Sequence, residues 1–167
     1  MIARAAAAML ALAAFDALAA ATPEGGTFTV KTITPEAALK AAKGAMEKCR
    51  AEGFQVTVAV VDRSGVTVAL IRDRFASPGS VEVAQRKAQT AANFRMDTAA
   101  LDRELQPGRP TAGIRNQPGV AAIAGGVPID AGGTLVGAIG VSGAPGPAND
   151  DLCAHEGLKA IAEDLEF

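Results

Sequence analysis

The chain has 167 residues, of which 49% are hydrophobic and 20% are charged. This composition can bury a sizeable core and is not that of a disordered chain. The formal net charge is −2 and the six aromatic residues are all Phe. Without basic runs or a set of stacking aromatics, the sequence argues against nucleic acid or an anionic membrane surface as a partner.

The first 21 residues have the three parts of a secretory signal peptide. Arg4 lies near the start, an apolar run covers residues 5–15, and small residues follow in Ala17-Leu18-Ala19. A membrane anchor is the alternative, but an uninterrupted apolar run of 11 residues is too short to span a bilayer. We therefore expect residues 1–21 to be removed and residues 22–167 to form a single domain, periplasmic or secreted, with no insertion into the membrane.

Export affects what the two cysteines are expected to do. Cys49 and Cys153 form an even count, which in an oxidising compartment is compatible with one disulfide. Two buried thiols are the alternative, and the residues alone leave both open. We predict the disulfide, because Cys49 lies near the end of the first helix and Cys153 near the start of the last, so antiparallel packing of these helices would bring the thiols within bonding range. Neither cysteine lies in a C-x-x-C-H pattern, so covalent haem attachment is excluded.

The first half of the expected domain reads as a helix, a hairpin and two more helices. Thr34-Pro35-Glu36 predicts a helix start, with a capping hydroxyl, a proline at the first position and an acid in the first turn. Two runs rich in β-branched residues, 55–62 and 66–71, flank a short turn and predict a hairpin. Asp62 is expected to cap this turn rather than to serve as a catalytic acid beside Asp73. Helices are predicted over residues 81–95 and 97–105.

The second half begins with a loop and continues with short strands. Residues 106–119 contain three prolines and three glycines, and a loop of this length in a compact domain often carries function. Strands are predicted over residues 120–124, 127–130 and 134–141, the last of them central because it has no charge. A final helix is predicted to start at Asn149-Asp150-Asp151. Short connections between strands make them antiparallel, so the sequence predicts an α+β meander and not a doubly wound sheet.

The single histidine, His155, limits the chemistry that the chain can perform. No G-x-S-x-G elbow accompanies it, and Cys153 with His155 falls short of a zinc ligand set. His155 is therefore either a surface or interface residue or a haem or metal ligand. The glycines of residues 137–143 do not match G-x-G-x-x-G, and we interpret them as places where helices or subunits approach the sheet.

Six short motifs in order resemble the GlcG/HbpS family of haem-binding-like proteins, which is related to the C-terminal domain of PduO. The resemblance covers about residues 33–165. The motifs are Val60-Val61-Asp62-x-x-Gly65, Arg86-Lys87-Ala88-x-Thr90-Ala91-Ala92, Pro118-Gly119, Gly125-Gly126-x-Pro128-Ile129, Gly137-Ala138-Ile139-Gly140-Val141-Ser142-Gly143 and Ala154-x-x-Gly157-Leu158.

This resemblance implies a profilin-like or roadblock-like α+β fold, with a five-stranded antiparallel sheet covered by helices. It also implies homo-oligomers, often octamers, of which several bind haem without covalent attachment. The chain departs from the family in having Arg72-Asp73-Arg74-Phe75-Ala76 where Arg-Met-Asp-Gly-Ala is frequent. It also has no histidine in the first helix, so no iron ligand can be carried over from relatives that use one there.

The resulting hypothesis is an exported, oligomeric haem-binding protein that sequesters haem or presents it to a partner. The alternatives are an enzyme acting on a small organic acid or on haem, and a ligand-free structural or sensory oligomer. Within the haem hypothesis, Thr111 and His155 are candidate axial ligands and Arg115 is a candidate partner for a propionate. We expect their pocket to be walled by residues 106–119 and to lie near a subunit boundary.

Overall fold

The structure, a computed structural model, describes residues 25–165. Every helix and strand described below belongs to one compact unit, which begins at Lys31. The predicted signal peptide, residues 1–21, lies outside the described residues. Within residues 25–165, no helix is both long and apolar enough to cross a bilayer.

Four α-helices form close to where the sequence places them. They are α1 (Pro35–Ala51), α2 (Gly79–Phe94), α3 (Thr98–Glu104) and α4 (Pro147–Lys159). The Thr34 hydroxyl accepts a hydrogen bond from the Ala37 amide, as predicted for the start of α1. The predicted start of α4 at residues 149–151 is wrong. The helix begins at Pro147, because proline suits the first helical position and the side chain of Asp150 is engaged elsewhere.

Four strands form one antiparallel sheet in the order β2-β1-β4-β3. They are β1 (Thr57–Asp62), β2 (Thr67–Arg72), β3 (Gly126–Ala131) and β4 (Thr134–Ser142). The predicted hairpin of β1 and β2 is confirmed, and Oδ1 of Asp62 accepts hydrogen bonds from the amides of Ser64 and Val66 in its turn, at 2.7 and 3.0 Å. The uncharged strand β4 is central, as predicted.

The expectation of five strands is wrong for the part of the chain that the structure describes. Residues 120–124, predicted as a strand, form none, because their amides bond away from the sheet. The Ala121 amide donates to the Thr90 hydroxyl on α2, at 2.9 Å, and the Val120 amide donates to the Gln117 carbonyl. The α+β class and the antiparallel pairing stand with four strands.

The helices cover both faces of the sheet, with α1 and α4 on one face and α2 on the other. Small residues bring α1 and α4 close together, since a Cβ at Gly157 would lie 2.7 Å from the Ala41 carbonyl oxygen. Cys49 of α1 and Cys153 of α4 form a fully buried disulfide with a Cα–Cα distance of 5.5 Å. The disulfide prediction is therefore confirmed, and the alternative of two free thiols is wrong.

Glycines of the sheet allow α2 to lie almost directly on the backbone of β4 and β3. A Cβ at Gly140 would clash with the Ala84 carbonyl oxygen, and one at Gly126 would clash with the Lys87 carbonyl oxygen. These glycines therefore serve close helix–sheet packing, as the sequence interpretation proposed.

Candidate functional site

A buried ion pair lies where α2, β4 and α4 meet. Nζ of Lys87 is 2.7 Å from Oδ2 of Asp150 and also donates to the Val141 carbonyl, at 2.9 Å. The other carboxylate oxygen of Asp150 accepts from the Ala144 amide, at 3.0 Å. The hydrogen bonds of this pair therefore join α2 to the end of β4 and to the start of α4.

Burial opposes the charged state of both partners. It lowers the pKa of Lys87 and raises the pKa of Asp150, and in each case the opposite charge of the partner counteracts the shift. Such a pair is weak evidence for a net gain in stability, whereas removal of one partner leaves an uncompensated buried charge. We therefore interpret the pair as a device that fixes geometry.

Gly125 packs against this pair and links it to Asp151. It has φ +113°, and a Cβ there would lie 2.8 Å from Cβ of Asp150 and 2.9 Å from Nζ of Lys87. Its amide donates to Oδ1 of Asp151, at 3.1 Å, and its carbonyl accepts from the Val141 amide. Only glycine meets both the backbone angle and the space available here.

His155 lies one helical turn beyond Asp151 and is partly exposed, at 41% of its side-chain surface. Its Nδ1 is 2.9 Å from the Asp151 carbonyl oxygen. Because that oxygen only accepts, the hydrogen bond requires the proton on Nδ1 and leaves the lone pair of a neutral ring on Nε2. Haem and metal ligands of the histidine type have this arrangement.

Two carboxylates lie on either side of the imidazole. Oδ2 of Asp97 is 3.8 Å from Nε2, and Oδ2 of Asp151 is 3.6 Å from Nδ1. Burial raises the pKa of Asp97, an effect that the nearby His155 counteracts and the charge of Asp151 reinforces. We call Asp97, Asp151 and His155 the His155 cluster. Over residues 25–165, no group of three or more His, Cys, Asp or Glu has the geometry to hold a metal ion.

The other two predicted haem-binding residues lie on the 106–119 loop, which contains a short 3-10 helix at Ala112–Asn116. The Thr111 hydroxyl donates to the Glu104 carbonyl, at 2.8 Å. The Arg115 guanidinium donates to the carbonyls of Leu105 and Asp102 and pairs with the Asp102 carboxylate, at 2.7 Å. Both side chains therefore tie the loop to α3, and no bond links either to the His155 cluster.

Asp73, which lies in the segment where the chain departs from the frequent family motif, also has a structural partner. Arg50 at the end of α1 makes two hydrogen bonds to the buried carboxylate of Asp73, at 2.7 and 3.0 Å. These bonds hold the pKa of Asp73 below its usual range. Because Asp62 bonds its own turn and Asp73 bonds Arg50, the two acids have separate partners and separate roles.

Two surface pockets formed by the described residues differ from what a haem requires. One holds ≈ 220 Å³ between α2 and the hairpin turn, and the other is an open groove of ≈ 520 Å³ along α1 that is lined by four charged side chains. Pockets for drug-sized ligands hold about 300–1,000 Å³. Neither lining includes a His, Met, Cys or Tyr, the side chains that hold haem iron. The donor chemistry for iron is present in His155, but neither pocket of one chain encloses the macrocycle.

The family model described as "Haem degrading protein HbpS-like" matches residues 33–159. The chain belongs to this family. The matched range includes all four strands, all four α-helices, the Lys87–Asp150 pair and the His155 cluster. The resemblance drawn from the motifs is thus confirmed.

Individual relatives agree with this assignment. An uncharacterised 15.0 kDa protein from the dhaT–dhaS intergenic region of Citrobacter freundii is 32% identical over 136 residues, covering 80% of this chain and 95% of that protein. GlcG of Escherichia coli K12 is 34% identical over 96 residues, covering 58% of this chain and 70% of GlcG.

Solved structures share the fold. A double mutant of Streptomyces reticuli HbpS is 37% identical with a TM-score of 0.78, covering 87% of this chain and 98% of that one. A PduOC:heme complex is 27% identical with a TM-score of 0.74, covering 78% of this chain and 95% of that one.

The sequence interpretation did not identify the Lys87–Asp150 pair. A signal for it exists, because Lys87 occupies the same helical face as Ala84, Ala88 and Ala91, where an apolar residue is the rule. A lysine at such a position needs a buried counter-charge. The sequence does not say which acid supplies it, since Asp150 is 63 positions away.

Proposed function

We propose that this HbpS-like protein binds haem without covalent attachment, as an exported homo-oligomer that sequesters haem or presents it to a partner. The observation that carries the proposal is the family match over residues 33–159. The likeness to a PduOC:heme complex, which spans 95% of that chain, supports it. The two cysteines form the Cys49–Cys153 disulfide, so a thioether link to haem has no free thiol to use.

We assign the iron ligand to His155 within this proposal. Haem supplies an iron with axial positions that a neutral imidazole nitrogen fills. The bond from Nδ1 to the Asp151 carbonyl leaves Nε2 for this purpose. Exposed apolar side chains near the cluster suit a porphyrin face. Leu152 lies one turn before His155, Met96 adjoins Asp97, and Ile123 accepts a hydrogen bond from Thr98 through its carbonyl.

A second copy of the chain is proposed to complete the site. One chain offers exposed apolar side chains around His155, and neither of the two pockets described above lies there. Haem exposed on both faces would leave much apolar surface in water. The Arg115 guanidinium uses Nε and Nη2 in its contacts with Leu105 and Asp102, so Nη1 can still donate to a propionate, from the same subunit or from a neighbour. The Thr111 hydroxyl donates its one proton to the Glu104 carbonyl, so only its oxygen remains, as the alternative axial ligand.

A haemin titration followed through the Soret absorbance tests the proposal, because the chain has no Trp for a quenching assay. We expect a shifted, saturable band at one haem per subunit or per pair of subunits. His155→Ala should change the band position or abolish saturation. Lys159→Ala, on the same helix and bonded only to Glu156, is the matched control and should behave as the parent protein.

The two parts of the proposal can fail separately. An unchanged haemin spectrum with the parent protein contradicts haem binding altogether. A normal band with His155→Ala contradicts only the choice of ligand, and Arg115→Gln and Thr111→Val then test the loop. Light scattering should give a mass several times that of the subunit, and a monomer at micromolar concentration contradicts the shared site.

Haem degradation is the second candidate function, because the family description names it. The same titration distinguishes it from storage. A bound band that stays constant in air with ascorbate favours sequestration, whereas a band that decays faster than that of free haemin favours degradation.

A further inference from the structure

A pocket of about 220 Å³ lies against α2 and shares no residue with the His155 cluster. Its walls come from the second half of α2, the turn between β1 and β2, and residues 118–120. We call it the hairpin pocket. It is smaller than the pockets that hold drug-sized ligands, so it suits a molecule of a few heavy atoms and cannot take a haem.

Three of the motifs that identified the family meet in the hairpin pocket. Gly65 ends the first motif, Thr90 lies within the second, and Pro118-Gly119 is the third. These motifs are far apart in the chain, and only the fold brings them together. The proposed haem site at His155 uses none of these residues.

The lining offers hydrogen-bonding groups that the protein itself does not use. The hydroxyl of the buried Thr90 accepts from the Ala121 amide, yet its own proton has no acceptor among residues 25–165. The side chains of Ser64 and Asn93 also have no hydrogen-bond partner within that range. Gln89 spends one amide proton on the Gly65 carbonyl, at 3.2 Å, which leaves its other groups available.

None of the nine lining residues carries a formal charge. A carboxylate or an ammonium group entering the pocket would lose hydration without meeting an opposite charge, which is costly. A neutral molecule with hydroxyl and amide groups would exchange its hydrogen bonds with water for bonds to Ser64, Thr90 and Asn93. The lining therefore selects against ions.

We propose that the hairpin pocket binds a small neutral molecule that carries hydroxyl or amide groups. Amide side chains and hydroxyls both donate and accept, so they match a ligand with the same mixed capacity. With so few heavy atoms in contact, the affinity is in the millimolar range. This inference is independent of haem binding.

Lactamide and lactate test the proposal, because they have the same shape and differ in charge. Saturation-transfer NMR on the full chain measures weak binding whatever its oligomeric state. We expect saturable binding of lactamide and at least tenfold weaker binding of lactate. Equal or tighter binding of lactate, or no saturable signal from lactamide, overturns the proposal.

Two glutamines of α2 provide a matched pair of variants that locates the binding. Gln89 and Gln85 are both half-buried, and each donates one 3.2 Å hydrogen bond to the hairpin, but only Gln89 lines the pocket. Gln89→Ala should weaken lactamide binding about tenfold, the effect of one lost hydrogen bond. Gln85→Ala should leave it unchanged, and equal losses in both variants would show that the effect comes from a shifted helix.

A substitution that fills the pocket gives a second test, because Gln89→Ala could act only by disturbing the hairpin. Asn93 is exposed near the end of α2, so Asn93→Phe should fold while its ring occupies the pocket. It should abolish lactamide binding and leave the haemin titration as in the parent protein. Unchanged lactamide binding in Asn93→Phe would place the ligand elsewhere and overturn the proposal.

Discussion

The ammonium group of Lys87 and the carboxylate of Asp150 lie 2.7 Å apart, with only 2% and 6% of their side-chain surfaces exposed. The pair links the middle of α2 to the first turn of α4 across the end of β4. Asp151, the next residue, holds Gly125 and faces His155. The orientation of the proposed haem ligand therefore depends on a buried ion pair that does not contact it.

Removing one partner of this pair should be costly. We expect Lys87→Met to lower the free energy of unfolding by about 3–5 kcal/mol, because Asp150 is then buried without a counter-charge. Adding Asp150→Asn, which keeps an acceptor for the Ala144 amide, should recover part of the loss. Urea unfolding of the two single variants and the double variant measures this coupling.

Arg86→Met is the control for that cycle. Arg86 is the neighbour of Lys87 but lies at the surface in an i,i+4 pair with Glu82. Its loss should change the stability by less than about 1 kcal/mol. A similar loss in both lysine and arginine variants would contradict a special role for the buried pair.

The Cys49–Cys153 disulfide should stabilise the protein and resist reduction in the native state. It closes a loop with a sequence separation of 104 residues, and removal of such a disulfide costs about 2–5 kcal/mol. The double variant Cys49→Ala, Cys153→Ala should show this loss in urea unfolding. Because both sulfur atoms are buried, dithiothreitol should release free thiols quickly only after denaturant is added.

Gly140 should not tolerate even a methyl group. A Cβ there would clash with the backbone of α2 at Ala84, so Gly140→Ala must push the helix from the sheet, at a cost of about 1–3 kcal/mol or more. Gly113 has open space around its Cβ position. Gly113→Ala is therefore the control, and we expect no comparable loss in its thermal midpoint.

The bond between Arg50 and Asp73 should make stability depend on acid pH. The pKa of Asp73 is lower in the folded protein than in the unfolded chain. Its bond to Arg50 therefore contributes fully to the free energy of unfolding above the unfolded pKa of about 3.9. This contribution disappears as the pH falls through the lower pKa of the folded protein. Comparing unfolding free energies of the parent and Asp73→Asn from pH 7 to pH 3 isolates this term.

The expected result is a loss in Asp73→Asn that is large at neutral pH and shrinks in acid. Asp150 acts in the opposite sense, since burial raises its pKa and the cost of its charge is relieved as the pH falls. Asp150 is unchanged in both proteins, so the comparison removes its effect. A pH-independent difference would contradict the role given to Asp73.

Much of the fold could be predicted from local sequence. Thr34 with Pro35 starts α1 because capping and the fixed φ of proline act within a few residues. The hairpin also formed as predicted, since Asp62 reaches only to Ser64 and Val66. Local chemistry alone was misleading at Asp150, which looked like a helix cap but bonds Lys87, and at residues 120–124, where apolar side chains suggested a strand.

Hydrogen-bond and ion-pair partners that are far apart in the chain could not be predicted from the sequence, for a physical reason. The amide of Ala121 bonds Thr90, and the side chain of Lys87 bonds Asp150, each across at least 31 positions. Such contacts depend on how helices and strands pack, which no local pattern encodes. The sequence by itself determined the four helices, the four strands that formed, the antiparallel class and the family. Only the tertiary structure decided which buried charges and pocket walls come together, because burial in a shared core sets which partners a polar group can reach.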